Sequence, residues 1–395
     1  MATPSTPSTP STPSTSSHPS PTGHPARRPR YTGEVVYIYA YDLAYELNRR
    51  PVPQLLGQPL IPFEFGSNRR VPRHHSFFKP LMVRLAPVKR QSPYGPVSVE
   101  AVIKLLPVGA ISITVSVPFS VERIDDLVGY HDLQFETGSL NQDVRLLAET
   151  IRRELAPYCV RPVSQLFDEE AYTVFCLRAP LTNPDGQPQA AESWFQAHRR
   201  QVAALLTQEE DVHQLSRQEA EESTSRYLSY YQNDLVVVDW DAALVIDDEP
   251  DFMEVLYIME LANLQLAEME AYDRLLDESL DRSYRDLALR RFRTKAHVLR
   301  QLREIRIDMA RMSDELLNIT KFFGDWHLAR IYEAIAARFH LGEWHHTVED
   351  KLKTLDNLYE ILKHDENNRW MLLLEITIVL LFIIDLVMLF AGLKH

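Results

Sequence analysis

Between residue 31 and about residue 248, short apolar runs alternate with Pro, Gly and polar breaks. The runs at 35–41, 81–85, 97–106, 111–118, 172–177 and 235–239 are rich in Val, Ile, Tyr and Phe, residues that suit a half-buried pleated surface, so each predicts a strand. Pro107, Val108, Gly109 and Ala110 read as a turn joining two of them. Helical periodicity intervenes at about 141–156 and again at about 194–230, the second after the loop Pro184-Asp185-Gly186. The pattern therefore predicts an α+β domain over 31–248.

Beyond Pro250 the breakers vanish and the period changes to that of helices. Val298, Leu302, Ile305, Met309, Met312, Leu316, Ile319 and Phe323 are spaced alternately four and three apart, a coiled-coil or helical-hairpin seam. An earlier run, Val255, Met259, Ala262, Leu266, Met269, Leu276 and Leu280, keeps that spacing except that Asp273 occupies one seam position. The first of these stretches along the chain is acidic and the second is rich in Arg, so antiparallel pairing would set opposite charges side by side. Pairing within one chain and pairing between chains both satisfy the seam. Val348, Leu352, Leu355, Tyr359 and Leu362 mark a further helix ending in the polar run 364–369, so 249–366 reads as a helical hairpin and juxtamembrane helix.

From Met371 to Leu393 only Glu375, Thr377 and Asp385 interrupt an apolar helix. At 1.5 Å per residue such a length covers the roughly 30 Å hydrocarbon core, and its apolar residues outweigh the cost of the two acids. Residues 370–393 are therefore expected to span a bilayer, with Trp370 at the interface and the bulk of the chain on the side of synthesis, a tail-anchored arrangement. Glu375 and Asp385 are ten residues apart, which leaves them about 80° apart around the helix, so both can face one partner helix. They are expected to line a contact in a homo-oligomer, the alternative being that Asp385 is tolerated when protonated.

Composition narrows the chemistry. Residues 1–30 are a Ser-Thr-Pro repeat closing in Ala26-Arg27-Arg28-Pro29-Arg30, too polar and Pro-rich to bury a core, and are expected to be a disordered tail. A net charge of -13 excludes general nucleic-acid coating and leaves only local contact. Cys159 and Cys176 are too few for a disulfide scaffold and carry no zinc-type spacing. The glycine motifs of phosphate cradles and the nucleophile elbow are absent from the sequence, so no cofactor, metal or small-molecule ligand is expected. After Glu64 no acid occurs until Glu100, while Arg69, Arg70, Arg73, Lys79, Arg84, Lys89 and Arg90 are interleaved with Phe77 and Phe78, a stretch suited to RNA, a ribonucleoprotein or anionic lipid. His74 and His75, and His340, His345 and His346 around Trp344, lack metal-ligand spacing. Asp239 and Asp241 flank Trp240, either as paired carboxylates on a strand or as a turn.

The runs Leu328-Ala329-Arg330-Ile331-Tyr332, Arg338-Phe339, Glu343-Trp344, Lys351-Leu352, Leu358-Tyr359-Glu360 and Leu372-Leu373-Leu374-Glu375 make the chain similar to the required for meiotic nuclear division family, whose shared region is a domain of unknown function. Gly109-Ala110-Ile111-Ser112 and Pro118-Phe119 carry the likeness into the N-terminal half. The resemblance implies a single-span membrane protein that self-associates through its helices, has no recognised catalytic activity and supports translation. Taken together, the expectation is a non-enzymatic, oligomeric membrane scaffold or tether with a possible ribosome or RNA contact. Its bulk would lie on the cytoplasmic side of the plasma membrane, the mitochondrial inner membrane being the alternative that the family implies. The other function class is a membrane-associated enzyme acting on a phosphate-containing substrate through His74, His75 or the Asp239 and Asp241 pair.

Overall fold

The structure is a computed structural model and describes residues 31–47, 51–63, 80–106, 109–167, 169–183, 186–288, 303, 306–307 and 326–392. The Ser-Thr-Pro tail, Arg69, Arg70, Arg73, His74, His75, Lys79 and every seam position from Val298 to Phe323 lie outside these residues.

A ten-stranded sheet organises the N-terminal half. Its strands are β1 (Tyr31–Asp42), β2 (Ile61–Pro62), β3 (Leu81–Arg84), β4 (Val88–Ser92), β5 (Gly95–Leu105), β6 (Ala110–Val121), β7 (Glu170–Arg178), β8 (Tyr227–Leu228), β9 (Leu235–Val238) and β10 (Ala242–Asp247). The order is β8-β9-β10-β7-β1-β6-β5-β3-β2, with β4 beside β5. All pairings are antiparallel except that of β7 with β10, whose connection leaves the sheet through helices and returns. Gly109, at φ +91°, closes the β5–β6 turn, and the N–H of Leu106 donates to the Ala110 carbonyl at 3.0 Å.

Alternation along β1 explains why its sequence, Val-Val-Tyr-Ile-Tyr-Ala-Tyr, is apolar throughout. Val35, Tyr37, Tyr39 and Tyr41 enter a core on one face, shared with α1 (Leu140–Leu155) and α2 (Ala191–Leu206). Val36 and Ile38 enter a second core on the other face, with Tyr172, Val174, Cys176, Val236, Val238, Ala243 and Val245. That second face is covered by α4 (Phe252–Ala288) and α5 (Trp326–Arg338), through Val255, Ile258, Met259, Ile331, Tyr332 and Ile335. The change at residue 248 is thus one of secondary structure; sheet and helices share a core across it.

The helix expected over 194–230 is three elements instead. α2 ends at Leu206, α3 (Arg217–Ser223) begins afresh, and β8 follows. The restart is chemical: the Ser216 hydroxyl accepts the Glu219 N–H at 3.0 Å, capping α3. Farther on, α6 (Leu341–Gly392) runs 52 residues without a break through the polar stretch 364–369, where no Pro or Gly interrupts the backbone ladder. Asp273, the polar intrusion in the apolar seam, has a partner there: Lys351 Nζ on α6 lies 2.6 Å from Asp273 and 2.6 Å from Asp277. Leu341 packs with the part of α4 nearest the sheet, whereas Lys351 meets its later turns, so α4 and α6 run in the same direction. Among the described residues the acidic helix is therefore matched by α6, and Arg306 pairs with Asp356 on α6 as well. The antiparallel coiled coil with the 298–323 seam falls outside them.

Toward β5 and β6 the second face turns polar. Lys104, 8% exposed, forms an ion pair with Glu260 of α4, 6% exposed, and the Thr114 hydroxyl donates to the same carboxylate at 3.4 Å. The ammonium also stands 4.2 Å from the ring centre of Phe63. Removing one member strands a buried charge. Lys104→Met is expected to lower stability by about 3–5 kcal/mol, and Lys104→Met with Glu260→Met to recover most of that loss. Denaturant titration of both variants checks it, and equal losses in the two would show that the ion pair is not what fixes α4 here.

Candidate functional site

Of the basic stretch between Glu64 and Glu100, the positions within the described residues lie on one margin of the sheet. Arg84 on β3 and Lys89 and Arg90 on β4 sit on strands that both pair with β5, along the side away from β6. Arg84 and Lys89 are exposed, so charge on this margin is open to phosphate and also guards an edge against strand addition. Arg90 is engaged: its guanidinium donates to Thr137 at 3.0 Å and to Asp143 at 3.1 Å, holding β4 to α1.

Asp239 and Asp241 do not form a carboxylate pair. They belong to the β9–β10 turn, with the Asp239 N–H donating to the Ala242 carbonyl at 2.9 Å. Asp239 is 5% exposed and accepts the Arg338 Nε–H at 2.8 Å, while Asp241 faces solvent. The same guanidinium donates to Glu222 of α3 at 3.0 Å, so Arg338 clips α5 to the turn and to α3. Trp240 lies on the His340 ring at 5.2 Å, and His340 Nδ1 is 3.1 Å from Glu343. His346 reaches Asp350 at 3.5 Å. Among the described residues no group of three or more His, Cys, Asp or Glu is arranged to hold a metal ion.

Two constellations were not foreseen from sequence. At the C-terminal end of β1, a narrow cavity is lined by Asp42, Phe167, Glu170, Glu270 and Arg274. Burial pushes Asp42 up to about 6, and burial together with the neighbouring Glu270 carboxylate raises Glu170 well above the ordinary range. Arg274, 3.4 Å from Glu270 and 4.9 Å over the Phe167 ring, offsets part of this. Only Glu270 and Arg274, four apart on α4, share a sequence signal; nothing in the spacing links them to residues 42 and 170.

The second is an open groove of about 840 Å³ at the opposite end of β1, within the size range of ligand sites. Its walls include Tyr94, Phe119 and Tyr130, with Glu122, Asp125, Asp126 and Glu210 around them. Tyr94 stacks on Tyr130 at 4.4 Å and 10°. It fits only because residue 129 is glycine: a Cβ there would sit 2.0 Å from the Tyr94 hydroxyl. Arg123 pairs with Asp125 through its guanidinium, and its backbone N–H donates to Asp126 at 3.1 Å.

A mixed sheet with helices on both faces, followed by an apolar helix, defines an α+β domain with a candidate membrane segment. A family model described as the N-terminal domain of the uncharacterized protein MJ0711 matches residues 32–253, and the chain belongs to that family. The protein of that name from Methanocaldococcus jannaschii is 25% identical over 221 residues, covering 55% of this chain and 65% of the archaeal protein. The chain thus spans slightly less than two thirds of that relative. No solved structure matches. The family match ends where the sheet gives way to α4.

Asp42 and Glu170 hold protons more tightly in the fold than in the unfolded chain. Their stabilising contribution is full below the ordinary carboxylate pKa and is lost as pH rises through the folded values, about 6 for Asp42 and higher for Glu170. Glu170→Gln is expected to flatten the decline in melting temperature between about pH 5 and about pH 8, and to exceed the parent at the upper end. Parallel pH profiles of the two chains check this.

Proposed function

We propose that the chain is a single-span, membrane-anchored, non-enzymatic scaffold whose copies associate and present the sheet domain to a macromolecular partner. One observation carries the reading. α6 begins in the core of the folded body, where Leu341, Val348, Leu352 and Leu355 are buried, and continues as one helix into Trp370–Phe390, long and apolar enough to cross a membrane and wholly exposed. At 1.5 Å per residue the 21 residues measure about 31 Å, the thickness of the hydrocarbon core. A helix rooted in the core transmits its orientation to the domain, so insertion would hold the sheet at a fixed attitude to the bilayer.

Glu375 and Asp385 support association, since an acid on a lipid-facing helix is favoured when another helix shields or pairs with it. The likeness to the required for meiotic nuclear division family supports the same single-span, self-associating arrangement. The basic margin with Arg84 and Lys89, continued in sequence by Arg69, Arg70, Arg73 and Lys79, is the surface we assign to a ribosome or RNA contact. The cytoplasmic side of the plasma membrane is the placement we favour, and the mitochondrial inner membrane is the family's alternative. Tethered copies would raise local concentration without new chemistry.

The full chain is expected in the membrane fraction and in crosslinked oligomers, and a chain ending at Arg369 in the soluble fraction. Asp385→Leu is expected to keep membrane association and weaken crosslinking severalfold. Crosslinking unchanged by that substitution would remove the helix–helix contact, and a soluble full chain would remove the anchor. Arg84→Glu with Lys89→Glu should abolish co-sedimentation with ribosomes; undiminished co-sedimentation would locate the contact elsewhere.

A further inference from the structure

The narrow cavity at the C-terminal end of β1 lies where α4 leaves the sheet. Just before it, Leu264 and Ala267 seat the helix against Ala40, Leu106 and Ala110, and the Asn263 amide donates to the Glu170 carbonyl at 2.9 Å. Just after it, Asp273 and Asp277 are held by Lys351 of α6, so the two helices continue together as a stalk. α6 in turn joins α5 through His340, a sharp turn at φ +50°. The stalk is therefore attached to the sheet domain at two places, that turn with Leu341 beside it and the exit of α4.

At the exit, Glu170 of β7 and Glu270 of α4 stand in hydrogen-bond contact through their carboxyl groups. Two carboxyl groups bond in this way only when they hold a proton between them, because an ionised carboxylate has acceptors alone. Asp42 lines the same space from β1. Among the described residues the cation facing all three is Arg274, one turn beyond Glu270 and 3.4 Å from it, with its guanidinium over the Phe167 ring. Asp241 adds negative charge at longer range and Cys159 stands near Asp42, whereas Glu169 is held by Arg145 at 2.8 Å. Three carboxyl groups around one guanidinium leave two to be neutralised by protons. With about 10 Å³ of free space the cavity admits one water at most, so a solvated counter-ion cannot take their place.

We propose that Glu170 and Glu270 form a proton-operated latch: the proton between them holds the exit of α4 on the sheet, and its loss to solvent frees that exit and lets the stalk swing about the His340 turn. With the proton gone, carboxylates face each other from opposite sides of the α4–sheet contact. Arg274 neutralises one of them, and repulsion between the other and Asp42 drives the helix from β1 and β7. Burial and the neighbouring carboxyl shift Glu170 upward, so the latch is closed in mild acid and opens as pH rises beyond the ordinary carboxylate range. Val255, Ile258 and Met259, nearer the start of α4, keep their places in the second core, so the opening is local to the exit. The latch belongs to the folded body and stands whether or not α6 crosses a bilayer.

The test measures the distance between two nitroxide labels on the full chain in detergent micelles. Cys159→Ser removes the half-buried native thiol, and Cys176 is fully buried and stays unlabelled. The labels enter through Leu146→Cys on α1 and Arg282→Cys on α4, both exposed, the second about 18 Å along the helix beyond Glu270. Pulsed dipolar spectroscopy is expected to show one short distance at about pH 5.5, its population falling severalfold by about pH 9 in favour of a longer, broader one. Glu170→Gln, whose amide donates to Glu270 at every pH, is expected to keep the short distance throughout, and Glu270→Gln to do the same from the other side. A parent distance unchanged between the two pH values would overturn the latch. A change that persists undiminished in either glutamine variant would overturn the shared proton as its cause.

Discussion

Burial of β1 on both of its faces is the constraint from which the rest of the architecture follows. A strand that alternates Val35, Tyr37 and Tyr39 into one core with Val36 and Ile38 into another cannot leave either face wet. The first face is covered by α1 and α2, drawn from within the family-matched region. The second is covered by α4 and α5, drawn from outside it. The helical C-terminal half is therefore the missing wall of the sheet's second core, and α6, packed on α4, inherits a fixed relation to the domain.

Polar contacts determine how that wall sits. Where the second face loses its apolar character, Glu260 meets Lys104; at the β9–β10 turn, Arg338 meets Asp239; and farther along, Lys351 meets Asp273 and Asp277. Buried or half-buried ion pairs contribute little net stability against well-packed apolar alternatives, but each penalises a slipped arrangement by leaving a charge unmatched. Three of them, spread over α4, α5 and α6, fix the register of helices whose apolar surfaces alone would tolerate sliding. Arg338 and Lys351 each bridge elements distant in sequence, so their place in the fold is structural.

The two ends of β1 have different electrostatics. At its C-terminal end, carboxylates are crowded with one arginine in a space too narrow for much water, so protonation is the inexpensive way to relieve them. At its N-terminal end, carboxylates stand around an open aromatic groove, where solvent or a cationic partner can do so. The basic residues that remain exposed on β3 and β4 face a third direction, along the sheet margin.

Strands such as 35–41 and 111–118, helix 141–156 and the apolar segment from 370 were legible in the sequence because each is set by local periodicity, composition and length. The 194–230 helix was misread because apolar spacing continued past a break that the Ser216 cap marks chemically. Asp239 and Asp241 looked alike on paper and were separated only by Arg338, a residue 99 positions away. Residues 42, 170 and 270 carry no joint signal, and neither do residues 94, 119, 130 and 210; sheet order and helix docking bring them together, and pairing across the sheet leaves no local pattern in the chain. By itself the sequence determined the strands and helices with a clear local period and the bilayer-compatible segment, because those choices depend on neighbours in the chain. Only the tertiary structure decided which acids would be buried, paired or left around a groove, because a charge's environment is set by residues distant in sequence.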